Sequence, residues 1–182
     1  MNRDQGEDQR RRPAFPYLRY VERGYRYAHA LLRNVDDAEE TVQEAFCRLV
    51  EANGSAPRPE DPAFEPTFFK VVRNLSIDRI RKNARRDHEP LDEAVHGPTI
   101  DAVPDEEPLE ARLASLSAEL PENQLSALEL RVNAGLGYDA IAEVMDVTTA
   151  QVRTWIFRAR RHLRCALEKA GAWPERTAHG QP

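Results

Sequence analysis

Cysteine is nearly absent: only Cys47 and Cys165 occur in 182 residues. Neither belongs to a CxxC pair or has a histidine at metal-ligand spacing, and each falls inside a helical pattern. Two buried or half-buried free thiols are therefore expected, rather than a disulfide or a zinc site. No apolar run approaches the length that spans a bilayer, so membrane insertion is not expected. The opening stretch MNRDQGEDQRRRP has no apolar segment behind its charges, which leaves no expectation of a signal peptide and points to a cytoplasmic protein. Strand-like alternation and internal repeats are also missing, which leaves an all-α fold. The five histidines, His29, His88, His96, His162 and His179, are scattered with no nucleophile or metal constellation around them. No catalytic residue, metal or cofactor is expected, and an enzyme is the weakest reading.

Basic charge is in deficit overall, with 26 Lys and Arg against 31 Asp and Glu, a net charge of −5. That argues against simple, unaided binding to nucleic acid. The distribution is more informative than the sum. Residues 73–86 hold six basic side chains against Asp78 alone, and residues 151–169 hold six against Glu168 alone. Between them, residues 87–110 hold nine carboxylates and no Lys or Arg. Two basic segments separated by an acidic strip suggest two basic surfaces on one chain.

The most specific stretch is Gly137–Leu163, GYDAIAEVMDVTTAQVRTWIFRARRHL. Ile141, Ala142 and Met145 are spaced for one face of a short helix, and Asp146, Val147 and Thr148 form a break. Thr148 suits an N-cap, with Gln151 three residues later to complete a capping box. The second helix carries Val152, Ile156, Ala159 and Leu163 on one stripe. Arg153, Arg160, Arg161 and Arg164 lie away from it, with Phe157 among them. A short helix, a tight turn and a longer basic helix make a helix-turn-helix, whose second helix can enter a DNA major groove. The blander alternative is a helical hairpin with a solvated arginine face.

In chain order, residues 1–16 read as a disordered tail that includes Arg10, Arg11 and Arg12. Helical periodicity begins at Tyr17 and runs to Arg33, with Tyr17, Val21, Tyr25, Ala28 and Leu32 expected inward. A second helix, Asp37–Glu51, is expected to turn Ala38, Val42, Ala45, Phe46, Leu49 and Val50 inward and Asp37, Glu40, Gln43 and Glu44 outward. Asn53–Pro66, with four prolines, reads as a long loop. A third helix, Thr67–Asn83, would pack through Phe68, Val71, Val72, Leu75 and Ile80. Its other positions carry Arg73, Asn74, Asp78, Arg79, Arg81 and Lys82, a basic face beside aromatics that suits single-stranded or melted nucleic acid; a solvated face over a phenylalanine core is equally consistent. Residues 87–108, with four prolines and many carboxylates, form a flexible acidic linker. Extended, it reaches roughly 75 Å at about 3.4 Å per residue. The second unit, 109–170, opens with Leu109, Leu113, Leu116 and Leu120. Its next helix has Pro121 at the N1 position, Leu125, Leu128 and Val132 inward, and Gly135 at the C-terminal cap. Residues 171–182 read as a frayed tail. The organisation is thus two small helical domains, 17–86 and 109–170, joined by the linker.

Three stretches resemble one family. DAEETVQEAF at Asp37–Phe46, FFKVVRNLSIDR at Phe68–Arg79, and Leu120–Arg164 are similar, in order and spacing, to segments of bacterial sigma-70 family sigma factors of the extracytoplasmic-function group. The similarity covers roughly Tyr17–Glu168. It implies a first domain that binds the clamp of core RNA polymerase and melts the promoter −10 element. It also implies a second domain that sets its helix-turn-helix on the −35 element and a linker threaded through the polymerase. Carried over residue by residue, Asp37, Glu39, Glu40, Gln43 and Glu44 fall in the polymerase-binding segment, with Ala38 and Phe46 packing. Arg73, Asn74, Asp78, Arg79 and Lys82 fall in the −10 segment. Thr149, Ala150, Gln151, Arg153, Thr154, Phe157, Arg158 and Arg161 fall in the −35 recognition helix. Implied partners are core polymerase and promoter DNA, with room for an anti-sigma factor. Phe68 stands where tryptophan is usual and Val72 where alanine is. Ala150-Gln151 replaces a frequent Gly-Thr, and Trp155 takes a usually polar position, which bears on promoter sequence.

Two other readings differ in their demands. A DNA-binding regulator that works without polymerase needs only Leu120–Arg164 and leaves the first two stretches unexplained. A helical adaptor with no DNA role makes both arginine runs mere surface.

Overall fold

The computed structural model describes residues 17–52, 58, 60–86 and 109–169. The tails, most of the expected proline-rich loop and the acidic linker lie outside the described residues. Those residues form helices α1 (Leu18–Leu32), α2 (Val35–Glu51), α3 (Phe64–Arg86), α4 (Leu109–Ala118), α5 (Glu122–Val132), α6 (Tyr138–Met145) and α7 (Thr149–Lys169). The first three make one small helical domain and the last four another. The fold is all-α, as the periodicity implies.

Local chemistry sets most boundaries. Arg33 adopts a left-handed conformation (φ 56°) after α1, and Asn34 caps α2 by accepting from the Asp37 amide at 3.0 Å. Asp36 and Asp37 in the first turn suit the helix dipole. The expected loop ends earlier than Pro66. The Asp61 carboxylate accepts from the Ala63 amide at 2.8 Å and α3 starts at Phe64. Pro66 is tolerated because first-turn amides have no intrahelical partner. After α5, Gly135 takes φ 70° and the Leu136 amide returns to the Leu130 carbonyl at 3.0 Å, a Schellman-type ending. Pro121 caps α5 from outside it rather than opening it at N1. The capping box of α7 is present. The Thr148 amide donates to Gln151 Oε1 at 3.0 Å, and the Gln151 amide donates to Thr148 Oγ1 at 3.3 Å.

The inward face of α1 differs from expectation. Tyr20, Gly24, Tyr27, Ala28 and Leu31 are buried, while Tyr17 and Val21 are exposed. Both stripes are apolar, so periodicity alone does not choose between them. Gly24 decides the choice. A Cβ there would stand 2.8 Å from Phe68 Cζ, so the stripe that contains glycine lets α3 approach. Around Phe68 gather Phe46 (ring centroids 4.8 Å apart), Phe69 (5.2 Å), Phe64 (6.0 Å) and Tyr20 (6.0 Å). Each fully buried phenylalanine of this kind contributes roughly 1.5–3 kcal/mol.

Two other expected core positions face solvent. Val50 and Val132 lie at the last turn of their helices and are exposed, whereas Thr41, Ser76 and Ser126 are fully buried. Leu109 is exposed too, and Leu120 alone of the four leucines opening the second unit is fully inside. Cys47 on α2 and Cys165 on α7, expected buried or half-buried, are both exposed. The buried side chains of the two domains form one continuous cluster, with α1 packed on α5 and α3 on α6.

Candidate nucleic-acid interface

Helix α7 buries Val152, Ile156, Ala159 and Leu167 and leaves its other face in solvent. On that face stand Arg153, Thr154, Phe157, Arg158, Arg160 and Arg161, all exposed. An exposed phenylalanine (65% accessible) is unfavourable in water unless something covers it. A cleft of about 470 Å³ runs along it, lined by Tyr138, Arg153, Ile156, Phe157, Arg160, Arg161 and Arg164. Tyr138, at the start of α6, has Arg131 on one cation–π contact at 5.4 Å and Arg153 on another at 5.9 Å. Arg131 is itself anchored by donating to the Leu136 carbonyl at 2.8 Å. Guanidinium groups interleaved with rings along one helix face are chemically suited to phosphates and base edges.

Not every residue expected at the −35 element is equally available. The Gln151 side-chain oxygen is occupied by the capping box. Thr149 Oγ1 donates to Asp139 Oδ1 at 2.9 Å and ties the start of α7 to α6. Thr154 Oγ1 donates to the Ala150 carbonyl at 2.9 Å, which leaves the exposed hydroxyl able to accept a hydrogen bond but not to donate another. Ala150 is exposed at the helix start. Arg160, Arg164 and Tyr138 join this surface although the motif alignment omits them. The arginine spacing on α7 signals the first two, but Tyr138 comes from another helix and has no such signal.

On α3, Asn74, Asp78 and Lys82 are exposed. Arg73 and Arg79 are engaged inside the protein. Arg73 Nε donates to Ser126 Oγ at 3.2 Å. Arg79 Nη1 donates to Asp37 Oδ1 at 3.0 Å and Glu40 Oε2 at 2.9 Å, with Glu44 Oε2 at 3.6 Å from Nη2. The hydrogen bond from Arg79 holds the Glu40 carboxyl below the usual carboxylate range and raises the arginine in turn. One guanidinium thus gathers three of the five residues expected to meet polymerase. The other two, Glu39 and Gln43, are exposed and line a groove of about 500 Å³ with Val21, Glu22, Tyr25, Val42 and Phe46. Its floor is apolar and its rim acidic. The described residues hold no cluster of His, Cys, Asp or Glu that could bind a metal ion, and no described helix is long and apolar enough to cross a membrane.

Residues 17–86 match the family model for sigma-70 region 2, and residues 110–163 match that for sigma-70 region 4. The chain belongs to the sigma-70 family, in its extracytoplasmic-function group. Its relatives include the ECF RNA polymerase sigma factor SigE of Mycolicibacterium smegmatis, 31% identical over 89% of this chain and 65% of that protein. The RNA polymerase sigma-H factor of Pseudomonas aeruginosa is 31% identical over 79% of this chain and 83% of its own length. The ECF RNA polymerase sigma-E factor of Haemophilus influenzae is 31% identical over 69% and 71%. Among solved structures, RpoE of Bartonella quintana, in complex with the anti-sigma factor NepR, superposes with a TM-score of 0.61 at 20% identity. That match covers 82% of this chain and 92% of the other. CnrH, in complex with the cytosolic domain of CnrY, gives 0.62 at 21% identity over 84% and 85%. At those identities the likeness bears on the fold of this sigma factor alone. The region 2 match covers α1, α2 and α3, which a free-standing DNA-binding regulator would not need.

Proposed function

We propose that this sigma factor joins core RNA polymerase through the α1–α2 groove and the acidic edge of α2, and reads promoters with α3 and α7. The observation that carries the reading is the solvent face of α7, where Arg153, Phe157, Arg158, Arg160 and Arg161 stand exposed over a fully apolar inner face. Arg153 and the exposed Ala150 and Thr154 sit at the N-terminal end of the recognition helix, the end that approaches base edges in a helix-turn-helix complex. Arg158 and Arg161, further along, suit phosphates. On α3, Asn74, Asp78 and Lys82 face solvent for the −10 element. It works as an initiation factor in the cytoplasm, not as a catalyst, and uses no cofactor. Because RpoE of Bartonella quintana, a structural relative, is in complex with the anti-sigma factor NepR, we assign it a partner of that class.

Core binding is best tested away from Arg79. Replacing Asp37, Glu40 and Glu44 by lysine would also expel Arg79 from its carboxylates. Glu39→Lys with Gln43→Lys changes the groove rim and leaves the cluster intact. Co-purification with core polymerase should be lost in that variant with helix content unchanged. Retention at the wild-type level would refute the groove assignment. Promoter use is tested by selecting transcribed sequences from a random library with core polymerase present. Two conserved boxes near −35 and −10 are expected, and no enrichment would overturn the reading.

A further inference from the structure

Helix α1 carries two apolar stripes, and only one of them is inside. Leu18, Val21 and Tyr25 recur at positions i, i+3 and i+7 on the other. Leu18 is 61% accessible, Val21 is 38% accessible and Tyr25 is half-buried. Val21 and Tyr25 meet α2 along the groove of about 500 Å³, where Val42 and Phe46 complete an apolar floor and Glu22 and Glu39 stand on the rim. Glu22 is paired with Arg26, one turn further along α1. No ion pair between described residues includes Glu39. An apolar floor with a polar rim is the pattern of a surface that something covers.

The chain just before α1 has the chemistry to cover it. Residues 1–16 join α1 at Tyr17, whose ring stands edge-on to Phe46 with centroids 5.8 Å apart, at one end of the groove. Immediately upstream runs Arg10-Arg11-Arg12-Pro13-Ala14-Phe15-Pro16. The prolines bias Arg12 and Phe15, the residues before them, toward extended backbone. Two prolines three residues apart suit a polyproline II course, which docks on aromatic-lined grooves at low entropic cost. Tyr25 and Phe46 supply such rings. From Tyr17 to Tyr25 the helix rises about 12 Å. From Tyr17 back to Arg12 the extended chain reaches up to about 17 Å. Folded back antiparallel to α1, the segment carries Phe15 over the apolar floor and brings the three arginines to the acidic rim.

We propose that residues 10–16 dock in the α1–α2 groove of the same chain, with Phe15 and the prolines on its floor and Arg10, Arg11 and Arg12 against Glu22 and Glu39. The short tether holds the segment at an effective concentration in the millimolar range, so weak contacts suffice to fill the groove. Core polymerase then has to displace the segment, and its apparent affinity falls with the fraction of chains whose groove is empty. The competition rests on the polymerase role proposed for the groove, whereas the docking does not, so the two can fail separately.

Amide signals of the isotope-labelled full-length chain report docking by nuclear magnetic resonance, without polymerase. The tail variant combines Arg10→Gln, Arg11→Gln, Arg12→Gln and Phe15→Ser, all outside the packed core. In it the amides of Glu39, Val42 and Gln43, on α2 and remote from the tail in sequence, should shift while helix content stays unchanged. Signals that keep their wild-type positions would overturn the docking. A synthetic peptide of residues 8–16, added to the tail variant at millimolar concentration, should return the signals toward wild type, and no return would also overturn it. Wild-type signals that move on dilution would place the segment in the groove of a second copy and overturn docking within one chain. The tail variant should then bind core polymerase roughly two- to tenfold more tightly in a competition titration. Docking seen in the amide signals together with unchanged core affinity would refute the polymerase role of the groove and leave the docked segment standing.

Discussion

Replacing Gly24 by alanine tests the packing that positions α1 against α3. The added Cβ would lie 2.8 Å from Phe68 Cζ and 2.9 Å from Cε1, and an ordinary 3.5 Å from Val42. Carbon atoms are comfortable at about 3.5–4.0 Å, so the ring tip must retreat by roughly 0.7 Å. It has little room, because Phe68 is fully buried among Phe46, Phe64, Phe69 and Tyr20. Overpacking of this kind costs about 1–3 kcal/mol. Alanine in place of a mid-helix glycine contributes about 1 kcal/mol in the other direction. The net expectation is a loss of about 0–2 kcal/mol. Leucine at position 68 lacks the ring tip, so in a Phe68→Leu background Gly24→Ala should stabilise by about 1 kcal/mol. The two substitutions should therefore couple by about 1–3 kcal/mol. Urea unfolding followed by far-ultraviolet circular dichroism measures all four chains, with a constant slope confirming that only stability has changed. If Gly24→Ala gains about 1 kcal/mol in both backgrounds, the effects are additive and the steric argument is wrong.

Thr41→Val should raise stability by about 1 kcal/mol in the same urea assay, because Thr41 Oγ1 is buried without a hydrogen-bond partner among the described residues. Burial raises the Glu129 carboxyl above its usual range, so its favourable, protonated contribution is complete below the unfolded value and lost as pH rises through the folded one. Glu129→Gln should then be more stable than wild type at neutral pH, with the advantage vanishing as the medium is acidified below the unfolded carboxylate range. A pH-independent difference in thermal midpoint would reject this. Arg153→Ala should lower discrimination at one −35 base pair by about 1–3 kcal/mol in competition binding with core polymerase present, while equal loss on all −35 variants would recast Arg153 as a phosphate contact. Tyr138→Leu should reduce the same discrimination less, since the ring orients Arg153 through a contact worth about 0.5–1 kcal/mol.

The sequence by itself determined what depends on neighbours within a few residues. The Thr148–Gln151 box, the Gly135 ending and the apolar stripe of α7 are local, because each rests on hydrogen bonds or side-chain spacing inside one or two helical turns. The helix-turn-helix and its outward arginines were legible for the same reason. Tertiary structure decided which of two apolar stripes on α1 turns inward, because the answer lies in the fit of Phe68 against Gly24, 44 residues away. It also decided which cations are free. Arg73 and Arg79 look alike in the sequence as members of one basic helix face, yet one is bound to Ser126 on α5 and the other to carboxylates on α2. Periodicity marks where a charge sits on a helix. Whether it meets solvent, DNA or a partner inside the protein depends on distant segments, whose approach the hydrophobic pattern of a single helix does not encode.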